Sequence, residues 1–84
     1  MLRIMLKVEI ITPRKIEFTG EADVLVLPTQ MGEISVLANH EPLVSVLKPG
    51  RILVKRKDKE ILVEIEGGVA EIIKDKAVIL LKKF

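Results

Sequence analysis

The sequence predicts an all-β domain: a flattened antiparallel β-sandwich of about nine to ten short strands, spanning residues 1–84 as a single unit. Three observations lead there. Apolar residues recur at every second position, which is the period of a strand and not of a helix. Clusters of Pro, Gly, Asn and Asp interrupt these runs at short intervals, as hairpin connections do. The apolar content is almost wholly aliphatic, rich in Ile, Leu and Val with Phe18 and Phe84 the only aromatics, and β-branched side chains pack well on pleated surfaces. A chain of 84 residues has room for one small domain. Such a domain buries only about 63% of its unfolded surface, too little to enclose a large cavity.

Each element follows from the local pattern. Leu2, Ile4, Leu6, Val8 and Ile10 alternate with Arg3, Met5, Lys7 and Glu9, the mark of a half-buried first strand. Thr12-Pro13-Arg14 breaks it. Ile16 and Phe18 alternate with Lys15, Glu17 and Thr19, and Gly20 is read as the next turn. Ala22 to Pro28 reads as a strand apolar on both sides, followed by a loop at Thr29-Gln30-Met31-Gly32 and a short strand from Glu33 to Leu37. Ala38 to Pro42 reads as irregular. Asn39 could cap a helix beginning near Glu41-Pro42 and running to Leu47, but the β-branched content and the abrupt Pro49-Gly50 favour a strand from Leu43 to Lys48. Arg51 to Lys55 and Glu60 to Glu66 flank Arg56-Lys57-Asp58-Lys59 as a hairpin. Gly67-Gly68 is a tight corner needing positive φ, and Lys74-Asp75-Lys76 turns between the strands Val69 to Ile73 and Ala77 to Leu81.

The composition excludes several functions. With no Cys there is no disulfide, thiolate metal site or cysteine nucleophile, and one His cannot build a histidine cage. No cofactor or metal site is expected. Ser35, Ser45, His40 and Asp23 supply the residue types of a hydrolase triad without the strand–turn–helix context that activates a serine. Glu60, Glu64 and Glu66 share one face of a strand and read as a solvated surface, since an acid–base pair needs a cleft. Fourteen basic and 12 acidic residues nearly balance, at a net +2. The basic runs Lys55-Arg56-Lys57 with Lys59, and Lys82-Lys83, lack the stacking aromatics of a single-strand nucleic-acid barrel. They read better as charges guarding sheet edges. No apolar run approaches the ~20 residues needed to span a bilayer, and charges interrupt the N-terminal apolar stretch, so it is not a signal peptide.

What stands out is an apolar excess, 49% hydrophobic with a mean hydropathy of +0.36. Val24-Leu25-Val26-Leu27 and Ala77-Val78-Ile79-Leu80-Leu81 are apolar on both faces, whereas a two-layer sandwich buries only one. The chain offers no spare segment as a lid, so the second face predicts a partner surface. His40, between Asn39 and Glu41 in the Pro-flanked stretch, is read either as a structural residue or as a polar contact to a partner.

A set of ordered patterns resembles a known family. Glu9-Ile10-Ile11-Thr12-Pro13, Phe18-Thr19-Gly20-Glu21-Ala22, Val26-Leu27-Pro28, Gly32-Glu33 and Val36-Leu37 come first. Asn39-His40-Glu41-Pro42-Leu43, Leu47-Lys48-Pro49-Gly50 and Gly67-Gly68-Val69-Ala70-Glu71 follow. Their order and spacing are similar to the N-terminal β-sandwich domain of the epsilon subunits of F-type ATP synthases, over essentially the whole chain. The resemblance implies a non-catalytic central-stalk rotor element, clamped to the gamma subunit and resting on the membrane-embedded c ring. It thereby couples ion-driven rotation to ATP synthesis, peripheral to the cytoplasmic face of the cell's inner membrane. It implies that Glu33 and His40 face the c ring together at one end, and that the apolar sheet surface, with Val24, Leu25, Val26, Leu27, Val78 and Leu80 as its candidates, seats against gamma, without fixing which outer face does so. It implies no catalytic residue, cofactor or nucleic-acid partner. A generic β-sandwich interaction module and a small nucleic-acid-binding β-barrel are the alternatives. The chain departs from the family pattern at Ala38-Asn39 and Leu27-Pro28-Thr29. It also stops at Lys82-Lys83-Phe84, where many members continue into two helices that bind ATP or inhibit hydrolysis, so that regulation is not expected of this segment.

Overall fold

The computed structural model describes residues 5–82. The expected strand positions Leu2 and Ile4, and Lys83 and Phe84, lie outside them. Nine strands follow in order: β1 (Leu6–Ile11), β2 (Ile16–Ala22), β3 (Val24–Thr29), β4 (Gly32–Val36), β5 (His40–Leu47), β6 (Gly50–Arg56), β7 (Lys59–Ile65), β8 (Gly68–Lys74) and β9 (Lys76–Leu81). They hydrogen-bond in the order β2-β1-β9-β8-β5-β3-β6-β7, with β4 paired to β3. The β3–β5 link is a single register pair, Thr29 with Leu47. The Gln30 amide donates to the Val46 carbonyl at 3.1 Å and the Lys48 amide to the Pro28 carbonyl at 2.9 Å, closing that corner. The continuous sheet therefore folds into two layers, β2-β1-β9-β8-β5 and β4-β3-β6-β7.

The alternation seen in the sequence builds the core between them. Leu6, Val8 and Ile10 on β1, Leu25 and Leu27 on β3, Ile52 and Val54 on β6, Ala70 and Ile72 on β8, and Ala77 and Ile79 on β9 all face inward and are buried. Two buried threonines serve the turns. Thr12 Oγ1 accepts from the Arg14 and Lys15 amides and donates to the Lys15 carbonyl, which ends β1. Thr29 Oγ1 accepts from the Met31 amide and donates to the Gly32 carbonyl, shaping the β3–β4 turn. Among the described residues no buried side-chain polar atom lacks a hydrogen-bond partner.

The structure corrects several expectations. The β1–β9 pair is parallel, the one departure from the antiparallel scheme. Such a pair joins strands from opposite ends of the chain, and no local turn signal announces it. Gly20 does not turn the chain; it lies within β2 opposite Val8, and the bend comes at Asp23. Its glycine serves close packing, because a Cβ there would sit 2.9 Å from Phe18 Cζ. His40 to Pro42 are not a loop but the start of β5, with a register shift between His40 and Leu43. A bulge is where a strand tolerates a proline that cannot donate to the ladder. The hairpin at Lys57-Asp58 and the corner at Gly67-Gly68 form as the sequence predicts, with φ of +132° at Gly67.

Candidate functional site

The outer faces of the two layers follow from strand alternation and register. On the β2-β1-β9-β8-β5 layer the core takes Ala77, Ile79 and Leu81 from β9, so Val78 and Leu80 point away from it. Register carries this face across the sheet. Ile16 lies opposite Ile11, Ile11 opposite Leu80, Leu80 opposite Val69, and Val69 opposite Val46. One apolar band thus crosses five strands. Four strand spacings make it roughly 19 Å long. Ile16, Leu80, Val69 and Val46 are all exposed, Leu80 at 52%, and Val44 and Ile73 add exposed aliphatic surface on the same layer. Exposed aliphatics scattered singly are ordinary on protein surfaces; a register-aligned band is not.

The other layer presents a smaller apolar row. Val26 faces Leu53 and Leu53 faces Leu62, at the centre of the β3-β6-β7 outer surface. Charged pairs bound it on both sides: Arg51 opposite Glu64, with Nε 3.8 Å from Oε2, and Lys55 opposite Glu60.

These faces divide the residues expected to seat against one partner. Leu25 and Leu27 are 0% exposed and belong to the core, so they are not docking residues. Val24 and Val26 are half-buried on the outer face of one layer; Val78, half-buried, and Leu80, exposed, lie on the outer face of the other. A segment apolar on both sides has one side in the core, and two layers turn their outer sides in opposite directions. The expected set therefore cannot form one contact surface.

Glu33 and His40 stand on different strands, β4 and β5. Glu33 is exposed on β4 opposite Pro28, one position from the β3–β4 turn. His40 begins β5 opposite Lys74, seven positions from Leu47, whose level is that of Thr29. Along the strand this is roughly 20 Å. What they share is a flank: β4 pairs only with β3, and its exposed edge positions Met31, Glu33 and Leu37 run on into Asn39 and His40. Met31 is 95% exposed at the turn. The Asn39 amide donates to Asp75 Oδ1 at 2.9 Å, anchoring the flank to the β8–β9 turn. His40 Nδ1 lies 2.6 Å from the carbonyl of Glu41, so part of its hydrogen-bonding capacity is used locally.

Ser45 is on β5 with its hydroxyl 3.5 Å from the Val46 carbonyl, and Ser35 is on β4 opposite Val26. Among the described residues no three His, Cys, Asp or Glu side chains are grouped to hold a metal ion. The basic hairpin is engaged structurally: Arg56 Nη2 lies 3.8 Å from Glu21 Oε1, and the Lys57 amide donates to Asp23 Oδ2 at 2.6 Å. Of the described residues none forms a helix long and apolar enough to cross a membrane.

Comparison with known proteins gives this architecture a context. The family model for the ATP synthase delta/epsilon chain β-sandwich domain matches residues 5–84. The ATP synthase epsilon chain of Neisseria meningitidis serogroup C is 38% identical over 78 residues, covering 90% of this chain and 56% of that protein. That of Brevibacillus brevis is 36% identical over 74 residues, covering 87% of this chain and 56% of that one. The chain thus spans little more than half the length of the curated relatives it matches. Among solved structures, a chain of the Euglena gracilis mitochondrial ATP synthase, in an assembly of OSCP, F1 and c-ring, superposes with a TM-score of 0.89 at 22% identity. The match covers 98% of this chain and 53% of that one. A chain of the Tetrahymena thermophila central stalk and c-ring superposes with a TM-score of 0.79 at 15% identity, covering 93% of this chain and 63% of that one. These structural likenesses establish the fold.

Proposed function

The chain belongs to the family of ATP synthase delta/epsilon chain β-sandwich domains, and from that premise we propose that it is a non-catalytic collar of the rotor, joining the gamma subunit to the c ring. In this role it passes ion-driven rotation to the catalytic sites without chemistry of its own. It is peripheral to the cytoplasmic face of the cell membrane through its complex. The observation that carries the reading is the apolar band from Ile16 to Val46. A face of that kind is stable when a partner covers it, and gamma is the partner a stalk collar requires. Of the two outer faces this one docks on gamma, through Leu80 and Val78. The β3-β6-β7 face, with Val24 and Val26, is narrower and bounded by the Arg51–Glu64 ion pair and by Lys55 opposite Glu60. The β4 flank from Met31 to His40 meets the ring, with Glu33 and His40 making polar contacts that fix orientation more than they add affinity. A packed, hydrogen-bonded sandwich deforms little under load, as torque transmission demands.

Binding to purified gamma tests the assignment. Leu80→Glu is expected to weaken gamma binding at least tenfold with an unchanged melting temperature, and Val26→Glu to leave it intact. The reverse result would move the interface to the other layer. For the ring contact, Glu33→Ala with His40→Ala is expected to lower association with the c ring while the melting temperature holds. A large fall in melting temperature would make these two residues structural.

A further inference from the structure

The hydrogen-bonded order of the sheet ends in two strands, β2 and β7, each with one neighbour among the described residues. β7 is the more exposed to unwanted pairing. It runs seven residues in unbroken register with β6, contains no proline, and exposes Ile61 and Leu62. An edge of that kind is a template for another copy. Its outer row is Glu60, Leu62 and Glu64, opposite Lys55, Leu53 and Arg51 of β6. β2 repeats the form. Thr19 and Glu21 lie opposite Glu9 and Lys7, Glu17 stands at the register shift beside them, and all three β2 residues are exposed.

Side chains that meet across an antiparallel pair share one face of the sheet, so the outer row of one copy meets the outer row of the next. Two copies of β7 in full overlap, about a two-fold axis at Leu62, set Glu60 against Glu64 twice. Moving the register by one pair in either direction sets Leu62 against Glu60 or against Glu64. A contact of β7 with β2 of the next copy, centred on Leu62 and Thr19, sets Glu60 against Glu21 and Glu64 against Glu17. Within one molecule the same carboxylates have cationic neighbours. Arg51 Nε lies 3.8 Å from Glu64 Oε2, Arg56 Nη2 lies 3.8 Å from Glu21 Oε1, Lys15 Nζ lies 4.0 Å from Glu17 Oε2, and Lys55 stands opposite Glu60. The rows are therefore tolerated in the single chain and meet like charge when a second edge arrives.

We propose that these two glutamate rows keep copies of the chain from joining edge to edge, both as β7–β7 dimers and as head-to-tail sheets of β7 on β2. Like charges directly opposite one another oppose strand pairing, and each contact carries two such pairs. The head-to-tail contact matters most for an aliphatic-rich chain, because it does not close on itself and grows into fibres. The inference is independent of what covers the apolar band.

Sedimentation of the chain at low salt tests it, with Val69→Glu and Leu80→Glu present throughout to take the apolar band out of the measurement. The variants compared carry no further change, Glu60→Lys, Glu64→Lys, both together, or Glu9→Lys, which makes the same charge change on β1, between β2 and β9. Circular dichroism melting checks that each folds, and the two single reversals duplicate one another if one does not. Each single reversal turns both Glu60–Glu64 oppositions into Lys–Glu pairs, and is expected to dimerise about tenfold or more tightly than the unreversed and Glu9→Lys chains. The double reversal restores like charge between copies of β7 but matches β2, and is expected to form species that lengthen with concentration. If the single reversals sediment as the unreversed chain does, the proposal is overturned. If Glu9→Lys associates as strongly as they do, it is overturned in favour of net charge. If the single reversals dimerise and the double variant stays monomeric, the β7–β2 opposition is struck and that between copies of β7 stands.

Discussion

At Gly68 a methyl group has nowhere to go. A Cβ would lie 2.3 Å from the Leu80 carbonyl oxygen and 3.0 Å from the Leu81 Cα, both backbone. Gly68→Ala is therefore expected to destabilise the domain by about 3 kcal/mol or more, read from chemical denaturation, because the β8–β9 ladder would have to part. Gly20→Ala makes the instructive contrast. Its close neighbour is the tip of the Phe18 ring, which can turn aside, so a loss of about 1 kcal/mol is expected. Asp23 is a third point of this kind: its carboxylate accepts the Lys57 amide across 34 residues of sequence and holds the β6–β7 hairpin against the β2–β3 bend. Asp23→Ala should cost about 1 kcal/mol, with Asp23→Asn retaining most of the stability because its side-chain oxygen can still accept. Gly67-Gly68 is recognisable in the sequence as a corner. That Gly20 is a packing glycine and not a turn is not, because the Phe18 ring that demands it reaches back within its own strand.

At the scale of the strand, alternation decides what each side chain does. Leu25→Ala and Ile79→Ala empty fully buried sites and should each lower stability by about 3 kcal/mol. Val26→Ala and Val78→Ala, one position away on half-buried outward sites, should each cost no more than about 1 kcal/mol. A loss of equal size at all four would contradict the two-layer arrangement. Strand positions were legible where period two survives, as along Leu6, Val8 and Ile10 of β1, and the β6–β7 hairpin announced itself through Arg56-Lys57-Asp58-Lys59. The start of β5 was not legible. Pro42 and the polar Asn39-His40-Glu41 carry a loop's composition, and only pairing with β8 across a bulge makes a strand of them.

Across the whole molecule, 40 × 23 × 19 Å in extent, the longest register-aligned part of the apolar excess is the band on the β2-β1-β9-β8-β5 face. Glutamate substitutions on that band alone, Val69→Glu with Leu80→Glu, should leave the thermal midpoint of the isolated chain within about 2 °C of wild type and reduce its self-association in light scattering. Both side chains already meet water, so their replacement empties no core site. A lowered midpoint would show that the band contributes to the fold itself.

The residue pattern alone established most of the strands and the surplus of aliphatic surface, because period two and turn chemistry are local properties of a chain. The partition of that surplus needed the folded molecule. Leu25 and Leu27 went to the core, and Val26 and Leu80 to opposite sides. The parallel meeting of β1 with β9, and the folding of one sheet into two layers at Thr29 and Leu47, align Ile16, Ile11, Leu80, Val69 and Val46. Those contacts join residues far apart in sequence, and nothing in a linear pattern encodes which distant strand will lie alongside.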